Sequence, residues 1–225
     1  MLDYRERAAS AGGRGTIIML HGFGANAADL YPLHQVVDPK ARYRWIFPEA
    51  PYSSPMLGGG QAWFPRDEET MITAITGDYF SDLTGLDPEG LRAAGAEVSE
   101  LATALGVDWS RTILAGFSQG AMVSTECVAA GGIRPAGLGL FSGAVVAADR
   151  WAASVAQRAA GLPVFHSHGT NDPILGYRAG QELAELLTKA GAELRSVSFS
   201  GGHTISEEAV AGFRELVHRV LSGAS

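Results

Sequence analysis

Apolar residues recur in two periods along this chain, and the two periods alternate. Thr16-Ile17-Ile18-Met19-Leu20 is a short unbroken apolar run, β-branched at its start and ended by His21-Gly22. Runs of this kind are strands buried on both faces, the habit of parallel sheets. Five more strands are expected without that unbroken character: Tyr43 to Pro48, stopped by its proline, then Thr112 to Ala115, Gly137 to Phe141, Pro163 to His168 and Glu193 to Phe199. Between them the period lengthens to that of a helix. Pro88 to Leu105 sets Leu91, Ala94, Val98, Leu101 and Leu105 on one face, with Asp87 as the expected N-cap, Pro88 at the first helical position and Gly106 as the stop. Ala121 to Val128 is helix-like after the third strand, and Arg178 to Ala190 ends at Gly191. Ser206 to Leu221 closes the chain with Val210, Phe213, Leu216, Val217 and Val220 aligned. Strand and helix in alternation imply right-handed crossovers and a mostly parallel central sheet with helices on both faces, an α/β fold formed as a single domain over residues 1–225.

One stretch departs from the pattern. Residues 52–86 carry Pro55, Gly58-Gly59-Gly60, Pro65 and Gly77, together with Met56, Leu57, Trp63, Phe64, Met71, Ile72, Ile75, Tyr79 and Phe80. An excursion of this length in a compact domain is a lid or pocket wall, or else an Ω-type loop packed on itself. Its aromatic content favours the pocket wall, because such side chains are otherwise exposed. Leu57, Trp63 and Phe64 are the expected ligand contacts.

Composition narrows the function classes. Hydrophobic residues make up 46% and charged residues 18% of 225, enough chain and apolar surface for a full core without staples. The formal net charge of −7 opposes nucleic acid and anionic membrane surfaces as partners. The first seven residues, Met1-Leu2-Asp3-Tyr4-Arg5-Glu6-Arg7, place charges where a signal peptide needs an apolar core. No apolar stretch reaches the length of a membrane span. The expectation is a cytoplasmic protein without stable membrane insertion. No HExxH, CxxC, P-loop or GxGxxG occurs, so neither a metal nor another cofactor is indicated. The one cysteine, Cys127, reads as a small buried apolar residue.

Chemistry concentrates where the third strand meets its helix. Gly116-Phe117-Ser118-Gln119-Gly120 between strand and helix has the form of a nucleophile elbow. The pentapeptide is loose, and a glycine-rich turn with a surface serine satisfies it equally. What separates the two readings is whether the chain supplies partners, since a serine hydroxyl needs a base and the base an orienting group. Asp172 stands in Gly169-Thr170-Asn171-Asp172-Pro173, after the fifth strand, and His203 in Ser200-Gly201-Gly202-His203, after the sixth. All three side chains fall at carboxyl ends of parallel strands, where such sheets form ligand crevices. The order Ser, acid, His is also that of elbow-type hydrolases. Asp149, after the fourth strand, is the second candidate acid. Among the other histidines, His34 and His218 read as surface residues of helical stretches and His166 and His168 as structural residues of the fifth strand. His21 belongs to Leu20-His21-Gly22-Phe23-Gly24, a glycine-rich turn after the first strand. An oxyanion needs preorganised donors. The backbone N–H of Gln119 and that of Phe23 are assigned to this role, although His21-Gly22 also reads as a plain turn.

With these residues assembled, the chain resembles the carboxylesterase/phospholipase family of α/β-hydrolases, which also contains the acyl-protein thioesterases. The matching pieces are Leu20 to Gly24, Gly116 to Gly120, His168-Gly169-Thr170-Asn171-Asp172-Pro173 and Gly201-Gly202-His203-Thr204-Ile205. The resemblance implies the α/β-hydrolase fold and hydrolysis of short-chain esters, thioesters or lysophospholipids. It also implies Ser118, His203 and Asp172 as a triad, Phe23 and Gln119 as backbone donors, and an acyl pocket lined by the Trp63-Phe64 segment. A homodimer joins these expectations, since relatives are often dimers. One departure is Pro65, which stands where the family pattern commonly has an acidic residue; Asp67 comes later. Acyl transfer or peptide hydrolysis from the same triad is the alternative. A non-catalytic binding protein of this fold would normally lack a triad member, and none is missing here.

Overall fold

A computed structural model of the chain describes residues 1–10, 13, 15–65, 69, 72, 86–130 and 133–222. The strands are β1 (Tyr4–Arg7), β2 (Thr16–Leu20), β3 (Arg44–Pro48), β4 (Tyr52–Ser53), β5 (Gln61–Ala62), β6 (Thr112–Phe117), β7 (Gly137–Phe141), β8 (Pro163–Gly169) and β9 (Glu193–Phe199). The helices are α1 (Ala27–Leu30), α2 (Leu33–Val37), α3 (Leu91–Ala104), α4 (Gln119–Ala129), α5 (Ala148–Arg158), α6 (Tyr177–Lys189) and α7 (Glu207–Leu221). Seven strands make one sheet in the order β1-β3-β2-β6-β7-β8-β9, and β4 and β5 form a separate two-stranded ribbon. Within the large sheet β1 runs antiparallel to β3, and the remaining neighbours are parallel.

The unbroken apolar runs are explained by a core on each face. Along β2, Ile18 and Leu20 face a cluster built with Leu91, Val98 and Leu101 of α3, Met122 and Val123 of α4, Trp151 of α5 and Leu183 of α6. Ile17 and Met19 point the other way, with Trp45 and Phe47 of β3, toward Val37 of α2 and Phe213, Leu216 and Val217 of α7. Each fully buried side chain of this size stabilises by about 1.5–3 kcal/mol. The register sets Leu20 beside Gly116, and Phe117 beside Phe141, so the strand ends that carry the chemistry lie side by side.

Three local expectations need correction. The helix expected from Pro88 begins at Leu91, with Gly90 at φ +87° as its N-cap. Asp87 caps nothing; its carboxylate instead receives Arg92 at 3.1 Å and Arg150 at 2.7 Å. Arg150 also reaches the fully buried Glu126, at 2.6 and 2.7 Å, and Trp151 Nε1 donates to the same carboxylate. His34 is buried rather than on the surface, its Nδ1 at 2.6 Å from the Tyr31 carbonyl. β1 has no apolar pattern to reveal it: it is an edge strand whose Glu6 pairs with Arg44 and whose Arg7 pairs with the buried Asp38. Of the excursion, residues 66–68, 70–71 and 73–85, which include Asp67, Met71, Ile75, Gly77, Tyr79 and Phe80, lie outside the described residues.

Candidate active site

The elbow between β6 and α4 is forced by sequence. Ser118 has φ +55° and ψ −119°, a strained backbone for a residue with a side chain. The turn closes because its glycines lack Cβ atoms. One on Gly116 would sit 2.2 Å from the Gly120 backbone, and one on Gly120 would sit 2.3 Å from the Leu20 carbonyl oxygen. Ser118 N–H donates to the Phe141 carbonyl at 2.8 Å, so the elbow hangs from the end of β7. The hydroxyl is presented at the N-terminus of α4, where unpaired helix N–H groups favour negative charge.

His203 and Asp172 arrive from the loops after β9 and β8. His203 Nε2 lies 2.9 Å from Ser118 Oγ, across 85 residues of chain. His203 Nδ1 lies 2.7 Å from Asp172 Oδ2, 31 residues earlier in the chain. The carboxylate fixes the imidazole proton on Nδ1 and leaves Nε2 to accept from the hydroxyl. The two loops are laced together: Thr170 N–H donates to the Phe199 carbonyl at 2.9 Å and Asn171 N–H to the Gly201 carbonyl at 3.0 Å. A Cβ on Gly169 would lie 2.3 Å from the Gly202 carbonyl oxygen.

Asp172 is well satisfied. Its Oδ1 accepts the backbone N–H groups of Ile174 and Leu175, each at 2.9 Å. Its Oδ2 faces His203 and, at 3.3 Å, Nε2 of the buried His168. Burial alone would raise its carboxyl; the hydrogen bonds from His168, His203, Leu175 and Ile174 outweigh that and hold it well below the usual carboxylate range. The rival acid, Asp149, is exposed in the first turn of α5 and is not part of this constellation.

The turn that carries Phe23, one of the two expected oxyanion donors, approaches the nucleophile: a Cβ on Gly22 would lie 3.2 Å from Ser118 Cβ. Gln119 opens α4 directly after Ser118. Phe23 lies in the turn after β2, and that turn is held on several sides. Gly24 N–H donates to Gln61 at 2.9 Å, and Ala25 N–H donates to Gly22 at 3.3 Å. The ring of His21, fully buried, bridges the Gly22 carbonyl at 2.8 Å and the Ala50 N–H at 3.0 Å.

Trp63 and Phe64, the expected ligand contacts, are both fully buried. Trp63 N–H donates to Gln119 Oε1 at 2.8 Å, Trp63 Nε1 donates to the His21 carbonyl at 2.9 Å, and Gln119 Nε2 donates to the Phe64 carbonyl. This segment therefore braces both sides of the nucleophile, a role that no local sequence pattern reveals. Leu57 is half-buried in the turn Pro55–Leu57. Sequence reasoning also passed over Ser142, a non-glycine residue at φ +46° whose hydroxyl donates to the Thr204 carbonyl at 3.3 Å, beside His203. Cys127 is buried, and burial pushes its thiol up to about 12. Among the described residues no group of three His, Cys, Asp or Glu side chains is placed to hold a metal ion, and no helix is long and apolar enough to cross a membrane.

A strained serine between strand and helix, on a mostly parallel sheet that brings histidine and aspartate to the same rim, defines the α/β-hydrolase class. Known proteins agree. Residues 8–220 match the family model described as Phospholipase/Carboxylesterase. An acyl-protein thioesterase 1 of Cryptococcus neoformans is 30% identical over 189 residues, 80% of this chain and 76% of the relative. A probable carboxylesterase of Oryza sativa subsp. japonica is 29% identical over 225 residues, covering 95% of this chain and 92% of its own. Among solved structures, esterase PE8 superposes with a TM-score of 0.77 at 25% identity, covering 98% of this chain and 99% of that one. The chain belongs to the phospholipase/carboxylesterase family of α/β-hydrolases, and it is a hydrolase.

Proposed function

We propose that the chain is a serine carboxylesterase that hydrolyses short-chain esters through an acyl-enzyme, with Ser118 as nucleophile, His203 as base and then acid, and Asp172 as orienting carboxylate. Thioesters and lysophospholipids fall within the same chemistry. The observation that carries this reading is the pair of hydrogen bonds from Ser118 Oγ to His203 Nε2, 2.9 Å, and from His203 Nδ1 to Asp172 Oδ2, 2.7 Å.

In this mechanism Ser118 Oγ adds to the carbonyl carbon as its proton passes to His203 Nε2. The oxyanion is received by the N–H groups of Phe23 and Gln119, whose positions are set before substrate arrives. Collapse breaks the bond to the alcohol or thiol, whose heteroatom takes the proton from Nε2. Water then repeats the sequence on the acyl-enzyme and frees Ser118. Asp172 stabilises the imidazolium formed in each half-reaction, and its depressed carboxyl keeps it charged across the neutral range.

The test is Ser118→Ala together with fluorophosphonate labelling. Wild-type protein is expected to take one label at Ser118 and to hydrolyse a short-chain aryl ester, and the variant is expected to do neither while melting as the wild type does. Retained hydrolysis in the variant would refute the reading.

A further inference from the structure

Beside His203 lies a cavity of about 380 Å³ that the proposed mechanism has not used. One wall is α1 and α2, which supply Leu30, Leu33 and Val36; the other is Phe117 and the loop carrying His203 and Ile205. The Phe117 and His203 rings are 4.8 Å apart by centroid. Val36, at the rim, is 48% exposed, a large apolar side chain left open next to the reacting groups. A cavity of this size accepts a ring or a short alkyl chain.

We infer that this cleft is the leaving-group subsite, and that it selects esters whose alcohol portion is an uncharged apolar chain or ring. The inference rests on the serine-esterase reading and adds the substrate class to it. The direction follows from the chemistry at the tetrahedral carbon. Besides Ser118 Oγ, that carbon carries three substituents. The oxyanion goes to the N–H groups of Phe23 and Gln119. The departing oxygen must lie at His203 Nε2, since that atom returns the proton as the carbon–oxygen bond breaks and the electron pair leaves with the alcohol. The rest of the alcohol therefore extends past His203, into the cleft that His203 lines.

Charge points the same way. Among the described lining residues the carboxylate is that of Asp29, whose Oδ2 is engaged by the Asn26 N–H at 2.8 Å as part of the α1 capping box. Among the described residues no lysine or arginine lines the cleft. The nearby Arg214 of α7 donates to the Val36 carbonyl and is not part of the lining. An anionic alcohol portion would meet Asp29 and no cation among the described lining residues, whereas an alkyl or aryl group would bury apolar surface against Leu30, Leu33, Val36 and Ile205.

The experiment compares two ester series by pH-stat titration. In the first the acid is butyric and the alcohol is methanol, 1-butanol or 1-hexanol, leaving groups of nearly equal reactivity. In the second the alcohol is methanol and the acid is butyric or hexanoic. For the wild type, kcat/KM is expected to rise about tenfold from methyl to butyl butyrate, the gain that half-burial of three methylenes supplies. Val36→Lys, at the exposed rim, and Leu33→Ala are each expected to lower that ratio about threefold or more while the hexanoate-to-butyrate ratio holds. A flat alcohol series in the wild type overturns the inference. So does a pair of variants that shift the acid series instead, since the cleft would then take the acyl group. Turnover of no ester at all removes the serine-esterase reading and this inference with it; turnover indifferent to the alcohol removes this inference alone.

Discussion

Replacing Asp172 by asparagine tests the orienting role with almost no change of shape. The direction of the amide is dictated by its neighbours. Oδ1 of Asp172 accepts two backbone N–H groups at 2.9 Å, from Ile174 and Leu175, so the asparagine oxygen must stay there. Turning it round would leave both N–H groups facing an NH₂, at a cost of about 1–3 kcal/mol for each unsatisfied donor. The NH₂ group therefore occupies the place of Oδ2 and points at His203 Nδ1, 2.7 Å away. Two donors cannot face each other, so His203 moves its proton to Nε2. That proton then points at Ser118 Oγ, where an acceptor is required. The protein keeps its fold and loses its base. A wrong tautomer in a triad costs about 10⁴-fold in kcat, or about 5.4 kcal/mol of transition-state stabilisation. The assay is kcat on a short-chain aryl ester near pH 7.5, with a thermal melt to show that Asp172→Asn is folded. A folded variant within tenfold of wild-type kcat would refute the tautomer argument.

Two further outcomes are expected. His166 is 3% exposed, and burial, with His168 nearby, pushes its imidazole from 6.5 down to about 4, so the unfolded chain takes up a proton across that window while the folded protein does not. Stability therefore falls as the pH drops through it, by about 2 kcal/mol at pH ~5. Urea melts at pH ~7.5 and ~5 should show that loss in the wild type and a smaller one in His166→Asn, which keeps a partner for Ser196; equal losses would exclude His166 as the source. In Gln119→Glu the carboxylate would face the Phe64 carbonyl in a fully buried place, costing about 3 kcal/mol. A protonated carboxyl can donate where Nε2 did, so the folded state raises that group and the penalty should grow from pH ~5 to ~8. A penalty independent of pH would show that the side chain escapes to solvent.

The inner strands were legible because they are buried on both faces, and double burial removes polar residues from runs such as Thr16 to Leu20. The site was legible for a different reason. Ser118, Asp172 and His203 each follow a strand, and parallel topology brings such positions to one rim. What escaped was set by contacts distant in sequence. β1 is polar because it lies at an edge, so its pairing with β3 leaves no periodic trace. Asp87 looked like a cap because Pro88 follows it, yet Arg150, 63 residues on, claims its carboxylate. Trp63 and Phe64 were placed near the site, as lining of an acyl pocket, by resemblance, and their hydrogen bonds to Gln119 and His21 left no trace in the local sequence. Only the folded chain gives Gln119 the two backbone groups that make them a brace.

The state of Cys127 has a practical consequence at the bench. Coupled assays for thioester cleavage report the released sulfhydryl with a disulfide dye, and an enzyme's own reactive cysteines create background. This chain has one cysteine, Cys127, buried inside the protein and held protonated by that burial at working pH. A steady baseline is thus built in, and slow colour development without substrate would itself report unfolding.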